Sequence, residues 1–406
     1  MKNKKDKIAL YGGNKIFLKE KNHYSWPPKY DRKKIKIINK YLKDDKLNNK
    51  GYPLIVEKFE KTFAQLVGTK YALSTNSGTS ALYSAYFALG LKKNDEVIAP
   101  SLTFHATGTP LLKFTNNIKF CGCDEVGNIN VNDLKKNISK KTKLVVITHL
   151  GGHPCDMDEI MSLKKKYRFK MVEDCSHAHE SRYKNKKVGT FGDINVFSMD
   201  RNKLLSVGEG GVLVTNNRNL FEKCLLISDF GFRLQSEIKL NNNKKYKDTG
   251  LGFKHRIHPL AAAIALSEIK NLKKYIKLRH KKLNYITNEL KKIKGLNPPI
   301  TKKNVNRGAF YSYRISFKKN FFKNLDMDLF IKALNKEGLQ VRKAGNPPLN
   351  KLPYFESCKS KKIDSAEKFY NSTFSIPTFT FEKIGLINLY LKGFKKVCKY
   401  FYKNEK

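Results

Sequence analysis

Short apolar runs alternate with helix-spaced stretches along the first half of the chain. The runs have the length and composition of buried strands and cover residues 71–74, 96–100, 118–121, 144–148, 170–173 and 194–198. Apolar residues at helical spacing lie before or between these runs, at 55–66, 80–89 and 157–167. Strands that alternate with helices in this way predict an α/β fold, in which helices cover both faces of a mainly parallel sheet.

The pattern changes after about residue 295. The predicted elements there form a smaller α+β unit: a strand at 311–317, a helix at 328–337, a strand at 338–342 and a final helix at 382–400. Between the two halves, the sequence predicts a flexible loop at 240–250 and a long helix at 261–290 that is interrupted or bent near Tyr275.

Two domains are expected, because 406 residues exceed the usual size of one hydrophobic core. We predict that residues 1–265 form an N-terminal arm, with one helix at 35–42, and a large domain. Residues 266–406 are predicted to form a small C-terminal domain.

The chain carries a large positive charge. Its 81 lysines and arginines outnumber 35 aspartates and glutamates, which gives a formal net charge of +46. Such a charge is typical of proteins that bind nucleic acid or another anionic surface. The alternative is lysine spread over solvated helix faces. The basic residues are mostly scattered lysines, without an arginine stripe interleaved with aromatics. This favours the second interpretation and predicts no specific nucleic-acid partner.

The sequence also indicates a compartment. Seven scattered cysteines, an odd number, form no paired framework and favour a reducing environment. The basic N-terminus lacks the apolar core of a signal peptide. No stretch approaches the ~20 apolar residues that a membrane-spanning helix needs. We therefore predict a cytoplasmic protein without a membrane segment.

Lys203 lies between a predicted buried strand and a glycine-rich turn at 208–211. An amine that is partly desolvated loses its proton more easily and becomes nucleophilic. Upstream, residues 77–79 join a strand to a helix, where the unpaired first-turn amides favour a phosphate, and Asp174 ends another strand. A phosphate cradle, a buried carboxylate and a Schiff-base lysine are the three parts needed to hold pyridoxal 5′-phosphate.

Each part also has an ordinary structural explanation. Taken alone, residues 77–79 are more typical of a helix N-cap than of a phosphate cradle. Phe104 taken alone is more typical of core packing than of stacking on an aromatic ring. Asp174 is equally suited to capping a neighbouring helix. A buried carboxylate needs a cationic or hydrogen-bonding partner, however, and a protonated pyridine nitrogen would serve. His177, three residues further on, is placed to reach the hydroxyl of such a ring.

Histidines and cysteines in the same region raise the alternative of a zinc site. They are His149, His153, Cys155, Cys175, His177 and His179. Their spacing fits no closed set of ligands, and we predict no metal.

In their order and spacing these motifs resemble the DegT/DnrJ/StrS family of pyridoxal-phosphate-dependent sugar aminotransferases, over nearly the whole chain. The matching segments are 76–82, 95–104, 149–158, 172–178 and 197–203. The resemblance implies fold type I, the aspartate-aminotransferase fold: a large domain with a mainly parallel seven-stranded sheet and a smaller C-terminal α+β domain. It also implies that an amino group moves from glutamate or glutamine to a keto group of a sugar or cyclitol, typically nucleotide-linked, in sugar or polysaccharide biosynthesis.

The resemblance implies a role for each site residue. Lys203 carries the cofactor as a Schiff base, Asp174 pairs with the pyridine nitrogen, His177 lies by the ring oxygen and Phe104 stacks on the ring. The residues implied to hold the phosphate are Ser77, Gly78, Thr79 and Ser198.

A homodimer with shared active sites is implied too, in which residues 252–256 of the second subunit complete each site. Lys254 stands where many members have an asparagine that contacts the phosphate. Asp200 replaces a bulkier histidine or glutamine, which would reshape the acceptor pocket. Arg233 and Arg256 are candidate contacts for a carboxylate or diphosphate.

The sequence leaves two other functions open. One is a different enzyme on the same cofactor, such as a lyase, desulfurase, racemase or dehydratase. The family's dehydratase branch has histidine in place of the lysine, so Lys203 argues against it. The other is a basic nucleic-acid-binding or regulatory protein with a vestigial site.

Overall fold

The computed structural model describes residues 7–17, 31–43, 53–323, 325–358 and 363–402. Parts of the predicted N-terminal arm, including a Trp-Pro-Pro motif at 26–28, lie outside these residues. The described α-helices are α1 (Arg32–Lys43), α2 (Leu54–Val67), α3 (Gly78–Ala88), α4 (His105–Gly108), α5 (Val131–Asn137), α6 (Met157–Tyr167), α7 (Arg218–Ser228), α8 (Phe232–Glu237), α9 (Asn241–Lys244), α10 (Pro259–Leu290), α11 (Met327–Lys336), α12 (Asp364–Ser372) and α13 (Ile384–Phe401). The strands are β1 (Tyr71–Thr75), β2 (Glu96–Pro100), β3 (Ile118–Cys121), β4 (Thr142–Thr148), β5 (Lys170–Asp174), β6 (Arg182–Tyr183), β7 (Lys186–Lys187), β8 (Ile194–Ser198), β9 (Gly211–Thr215), β10 (Leu296–Asn297), β11 (Val305–Asn306), β12 (Tyr313–Phe317), β13 (Arg342–Lys343) and β14 (Thr373–Ile376).

A seven-stranded sheet forms the centre of the large domain. Its strand order is β1-β9-β8-β5-β4-β2-β3. Only β9 runs against the others, because it pairs antiparallel with both β1 and β8. Every residue of β2, β8 and β9 is buried, as expected for a sheet that is covered on both faces. The predicted fold, a mainly parallel α/β sheet, is confirmed.

The local sequence accounts for several helix ends in this domain. Helix α2 ends at Gly68, whose φ of +95° lies in the left-handed region that favours glycine. Helix α3 begins after Ser77, whose side chain accepts a hydrogen bond from the amide of Ser80.

A four-stranded sheet, β10-β12-β14-β13, packs with α11 and α13 in the C-terminal part. This is the smaller α+β unit that the sequence predicts. A third, small sheet joins β11, β6 and β7. None of the helices within the described ranges combines the length and apolar composition needed to cross a membrane.

Helix α10 connects the two parts and is not interrupted at Tyr275, in contrast to the prediction. Its 32 residues are continuous, and its only proline is at the first position, where proline is tolerated. Tyr275 packs into a cluster with the large domain, whereas Leu283 packs into the core of the small one. The division at residues 265 and 266 stays a prediction.

Two further predicted elements differ from the structure. The strand predicted at 338–342 is wrong: among these residues only Arg342 is in a strand, β13. The amide and carbonyl of Val341 bond instead to the side chain of Asn335, at 3.0 Å each, so they are not free to pair with a neighbouring strand. The predicted loop at 240–250 contains the short helix α9, and Asn243 in it donates to the buried carboxylate of Glu222 at 3.0 Å.

Candidate active site

A cavity of about 490 Å³ lies at the carboxyl ends of the parallel strands, as the sheet topology predicts. Its volume is in the range of small-molecule and cofactor sites. Eight of the nine residues predicted to form the site line it: Ser77, Gly78, Thr79, Phe104, Asp174, His177, Ser198 and Lys203. The ninth, Lys254, is not among the residues that line this cavity. The tertiary structure therefore brings together segments that are more than 100 residues apart in the chain.

One end of the cavity is formed by the start of α3. Ala81 donates the first bond of this helix, to the carbonyl of Ser77 at 3.1 Å. The amides of Gly78 and Thr79 precede it, so they are available to an anion. Gly78 packs closely against the end of β8, because a Cβ atom at this position would lie 2.8 Å from Cβ of Ser198. The free amides and the close approach of the backbone to β8 fit the phosphate of pyridoxal phosphate.

Asp174 ends β5 and is buried at the floor of the cavity. Its Oδ2 accepts a hydrogen bond from the hydroxyl of Thr107 at 2.7 Å, and its Oδ1 accepts one from the amide of Ser176 at 3.0 Å. The hydroxyl of Thr107 lies 2.9 Å from that of Thr103, which lies 2.9 Å from that of Thr148. These hydroxyls fix the direction of the carboxylate. None of the three threonines was predicted as a site residue, although each lies at or after the end of a strand.

Replacing Thr107 by valine should weaken the binding of pyridoxal phosphate. The substitution keeps the shape of the side chain but removes a hydrogen bond to a buried carboxylate, which is worth about 1.5–3 kcal/mol. We expect an increase of about tenfold or more in the dissociation constant, measured by absorbance titration. Thr115→Val removes a buried hydroxyl that bonds to backbone carbonyls away from the cavity and should leave the affinity unchanged. Equal effects of the two substitutions would contradict this role for Thr107.

His177 stacks on Tyr311, with ring centroids 3.9 Å apart and ring planes 7° apart. Its Nδ1 accepts the amide of Gly151 at 3.3 Å, so the proton of the neutral ring is on Nε2. Burial, together with the charges of Lys203 and Arg314, holds the pKa of His177 well below its ordinary value. The imidazole is therefore neutral at neutral pH and presents one N–H donor.

Lys203 follows β8 and is only 8% exposed. Its Nζ lies 4.2 Å from the ring centroid of Tyr311. Tyr311 precedes β12 in the small domain, so the lysine is enclosed between the two domains. Tyr311 was not predicted as a site residue, because in the sequence it is only one aromatic at the start of an alternating strand.

Phe104 is 50% exposed at the mouth of the cavity. It does not belong to the core, so core packing does not account for this residue. Asp200 also lines the cavity, and its Oδ1 accepts the amide of Asn202 at 3.1 Å.

The structure brings together His149, Glu173 and Cys175 in a cluster of possible metal ligands. Hydrogen bonds already account for this cluster. His149 contacts Glu173 through Nε2 at 2.9 Å and accepts the amide of Cys155 through Nδ1 at 3.0 Å. The two oxygens of Glu173 also accept backbone amides between residues 189 and 192. Since both ring nitrogens are used, the cluster fits a structural network better than a metal site.

The two arginines proposed as ligand contacts have other partners. Arg233 is buried and pairs with Glu60 at 2.7 Å, Glu237 at 2.8 Å and Asp229 at 3.7 Å. It is therefore a structural residue in this chain, in contrast to the expectation. Arg256 lies 3.5 Å from Asp229 and is 40% exposed.

Comparisons with known proteins agree with this geometry. The chain matches the DegT/DnrJ/EryC1/StrS aminotransferase family over residues 28–381. It is 34% identical over 259 residues to the GDP-perosamine synthase of Escherichia coli O157:H7, covering 62% of this chain and 66% of that protein. It is 30% identical over 353 residues to the UDP-4-amino-4,6-dideoxy-N-acetyl-beta-L-altrosamine transaminase of Campylobacter jejuni, covering 86% of this chain and 90% of that protein.

Among solved structures, the aminotransferase from Psychrobacter cryohalolentis has a TM-score of 0.84 at 23% identity, covering 92% of this chain and 98% of that one. This likeness confirms the predicted fold. The aminotransferase class and the cofactor, pyridoxal phosphate, are confirmed as well. The chain belongs to the DegT/DnrJ/EryC1/StrS aminotransferase family.

Proposed function

We propose that this aminotransferase moves an amino group from glutamate or glutamine to a keto group of a nucleotide-linked sugar. One observation carries the proposal: Lys203, Asp174 and the start of α3 open into a single cavity. The names of two relatives support the choice of acceptor, since one is a GDP-perosamine synthase and the other a UDP-amino-sugar transaminase.

Each part of the cavity has a task in this reaction. Pyridoxal phosphate, when bound, supplies an electron sink for the α-carbon of the amino donor. The amides of Gly78 and Thr79, with Ser198, would hold its phosphate. Asp174 would keep the ring nitrogen protonated, and the Nε2–H of His177 would donate to the ring oxygen. Phe104 would lie against the ring.

Lys203 has two tasks in turn. Its amine would bind the cofactor covalently in the resting enzyme. Once the donor has replaced it, the free amine would act as a general base and take the proton from the donor's α-carbon. It would then act as a general acid and deliver this proton to a carbon of the cofactor. The enclosure of Lys203 beneath Tyr311 would keep bulk water away from this proton transfer.

The charge of the protein suits an anionic acceptor. A nucleotide-linked sugar carries a diphosphate, and a net charge of +46 attracts it electrostatically. The same charge is compatible with nucleic-acid binding, but that function leaves the cavity unexplained.

Absorbance spectroscopy tests the first half of the reaction. Pyridoxal phosphate added to the purified protein should give a visible band, and glutamate or glutamine should bleach it, with one oxo acid formed per site. A panel of GDP- and UDP-linked keto sugars should then restore the band by accepting the amino group. Bleaching by a donor without recovery with any keto acceptor would contradict the proposed acceptor class.

The burial of the cysteines argues against the alternative of a desulfurase. Such an enzyme needs a mobile, reactive cysteine near the cofactor. Cys155 and Cys175 are buried near the site, and burial raises the pKa of both thiols well above the ordinary value.

We also propose a cytoplasmic location. All seven cysteines are free and buried, which supports a reducing compartment.

We also propose a homodimer in which Lys254 reaches the phosphate site of the partner subunit. In its own subunit the Lys254 side chain is exposed. Its neighbour His255 accepts the amide of Asn76 through its carbonyl at 2.7 Å, next to the cradle. The segment is thus held at the surface beside the phosphate end.

Mixing two inactive variants tests this arrangement. Lys203→Ala and Lys254→Glu, refolded together, should recover about a quarter of wild-type activity, because half of the dimers are mixed and one of their two sites is intact. If Lys254 acts within its own subunit, both sites of a mixed dimer are defective and no activity returns. A monomer in light scattering would contradict the proposal directly.

A further inference from the structure

A second, small cavity of about 20 Å³ lies behind the wall of the candidate active site. Gly151 of the large domain and Ser312 of the small domain both line it. Gly151 donates its amide to His177, at 3.3 Å, and Ser312 directly follows Tyr311. The cavity is therefore separated from the active site by one layer of residues.

Two arginines, Arg307 and Arg314, also line this cavity. Within the described ranges, neither guanidinium has a carboxylate partner. Arg307 bonds only to neutral groups: its Nε donates to the hydroxyl of Thr301 at 2.9 Å, and its Nη2 to the carbonyl of Ile300. Positive charge is thus concentrated here, and no carboxylate among the described residues pairs with either arginine.

Arg314 leaves hydrogen-bond donors unused. Its Nε and Nη1 are buried and have no acceptor among the described residues, and the same is true of the hydroxyl of Ser312. Burying a charged group without partners is costly. Burial lowers the pKa of Arg314 to about 10. Burial, together with the charge of Arg314, lowers the pKa of Arg307 to about 9.

One acidic residue, Glu125, lies at the edge of this cavity. Its carboxylate contacts Lys302 at 3.2 Å, and its side chain is 58% exposed. Glu125 therefore pairs with Lys302 and does not neutralise the charge of the two arginines.

We propose that this cavity binds one small monovalent anion, such as chloride, between Arg314, Arg307 and the hydroxyl of Ser312. Three unused donors and two positive charges supply the recognition. A volume of about 20 Å³ admits one water-sized species, which excludes a phosphate or a whole amino donor. The anion neutralises the charge that Arg314 exerts on His177. The inference does not depend on the proposed reaction.

Stability measurements in matched salts test the site. Unfolding of the holoenzyme is followed in sodium gluconate and in sodium chloride at the same ionic strength, because general screening of the +46 charge then stays constant. Chloride at ten times its dissociation constant should raise the folding equilibrium constant about elevenfold, and the effect should saturate. Sodium formate in place of chloride distinguishes a carboxylate from a halide.

Two variants make the test specific. Arg314→Met keeps the length of the side chain but removes the charge; it should lose the chloride effect while remaining at least as stable as the wild type in gluconate. Arg32→Gln removes one exposed charge on α1 and should keep the effect. In bromide-soaked crystals, an anomalous peak is expected between the two arginines.

The outcomes separate clearly. Saturable stabilisation by chloride or formate that Arg314→Met abolishes supports the site and identifies its ion. If chloride stabilises the wild type, Arg314→Met and Arg32→Gln equally, the effect is only general screening of charge. If stability does not depend on the ion and no anomalous peak is found, water fills the cavity. Either result overturns the proposal.

Discussion

Lys203→Ala should abolish amino transfer and the visible absorbance of the bound cofactor. The amine is the group that binds pyridoxal phosphate covalently and then moves a proton at the donor's α-carbon, and general acid–base catalysis alone contributes about 10²–10⁴-fold. We expect the rate with glutamate or glutamine to fall by at least this factor. Stopped-flow absorbance and oxo-acid assays measure the two effects separately.

The control for this variant is Lys70→Ala, which removes an exposed lysine and changes the net charge equally. It should keep both the band and the rate. The fold of Lys203→Ala should also survive, because the lysine contacts Tyr311 but forms no ion pair among the described residues. A variant that kept the visible band would show that another lysine binds the cofactor.

Asp174→Asn should have the second largest effect. The substitution preserves the size of the side chain, but it removes the negative charge that would keep the ring nitrogen protonated. The loss of one such preorganised electrostatic contact costs about 10²–10³-fold in rate. Single-turnover kinetics with a saturating donor would measure the fall, with the cofactor still bound.

Glu173→Gln is the matched control, because it changes the adjacent residue of β5 in the same way. Glu173 faces the other side of the sheet, where it bonds to His149 and to backbone amides. This variant should lose stability in denaturant titration while keeping the rate of the folded enzyme. If Asp174→Asn also changed only stability, Asp174 would be a structural residue.

The sequence predicted the large domain in detail because each strand of its seven-stranded sheet contains a short, buried apolar run. The bounds of β2, β3, β8 and α6 agree with the prediction to the residue. The small domain was predicted less well, since the hydrogen bonds of a side chain, Asn335, decide the course of residues 338–342. Such bonds leave no periodic pattern in the sequence.

The residues of the candidate site were also predicted only in part. Residues that follow buried strands, such as Asp174 and Lys203, were predictable because parallel strands end at one edge of the sheet. Tyr311 and the three threonines were missed. Arg233 was assigned a ligand contact because the sequence does not show that Glu60, 173 positions away, is its partner.

The sequence by itself determined the α/β class, the family, the cofactor and eight residues that line one cavity, because these depend on local apolar patterns and short motifs. Only the tertiary structure decided which side chains support those residues. The hydroxyls behind Asp174 and the stacking of Tyr311 on His177 join segments that are distant in the chain. The same is true of the small cavity, in which Arg307 and Arg314 meet Gly151. Their effects follow from distance and burial, which a linear pattern does not contain.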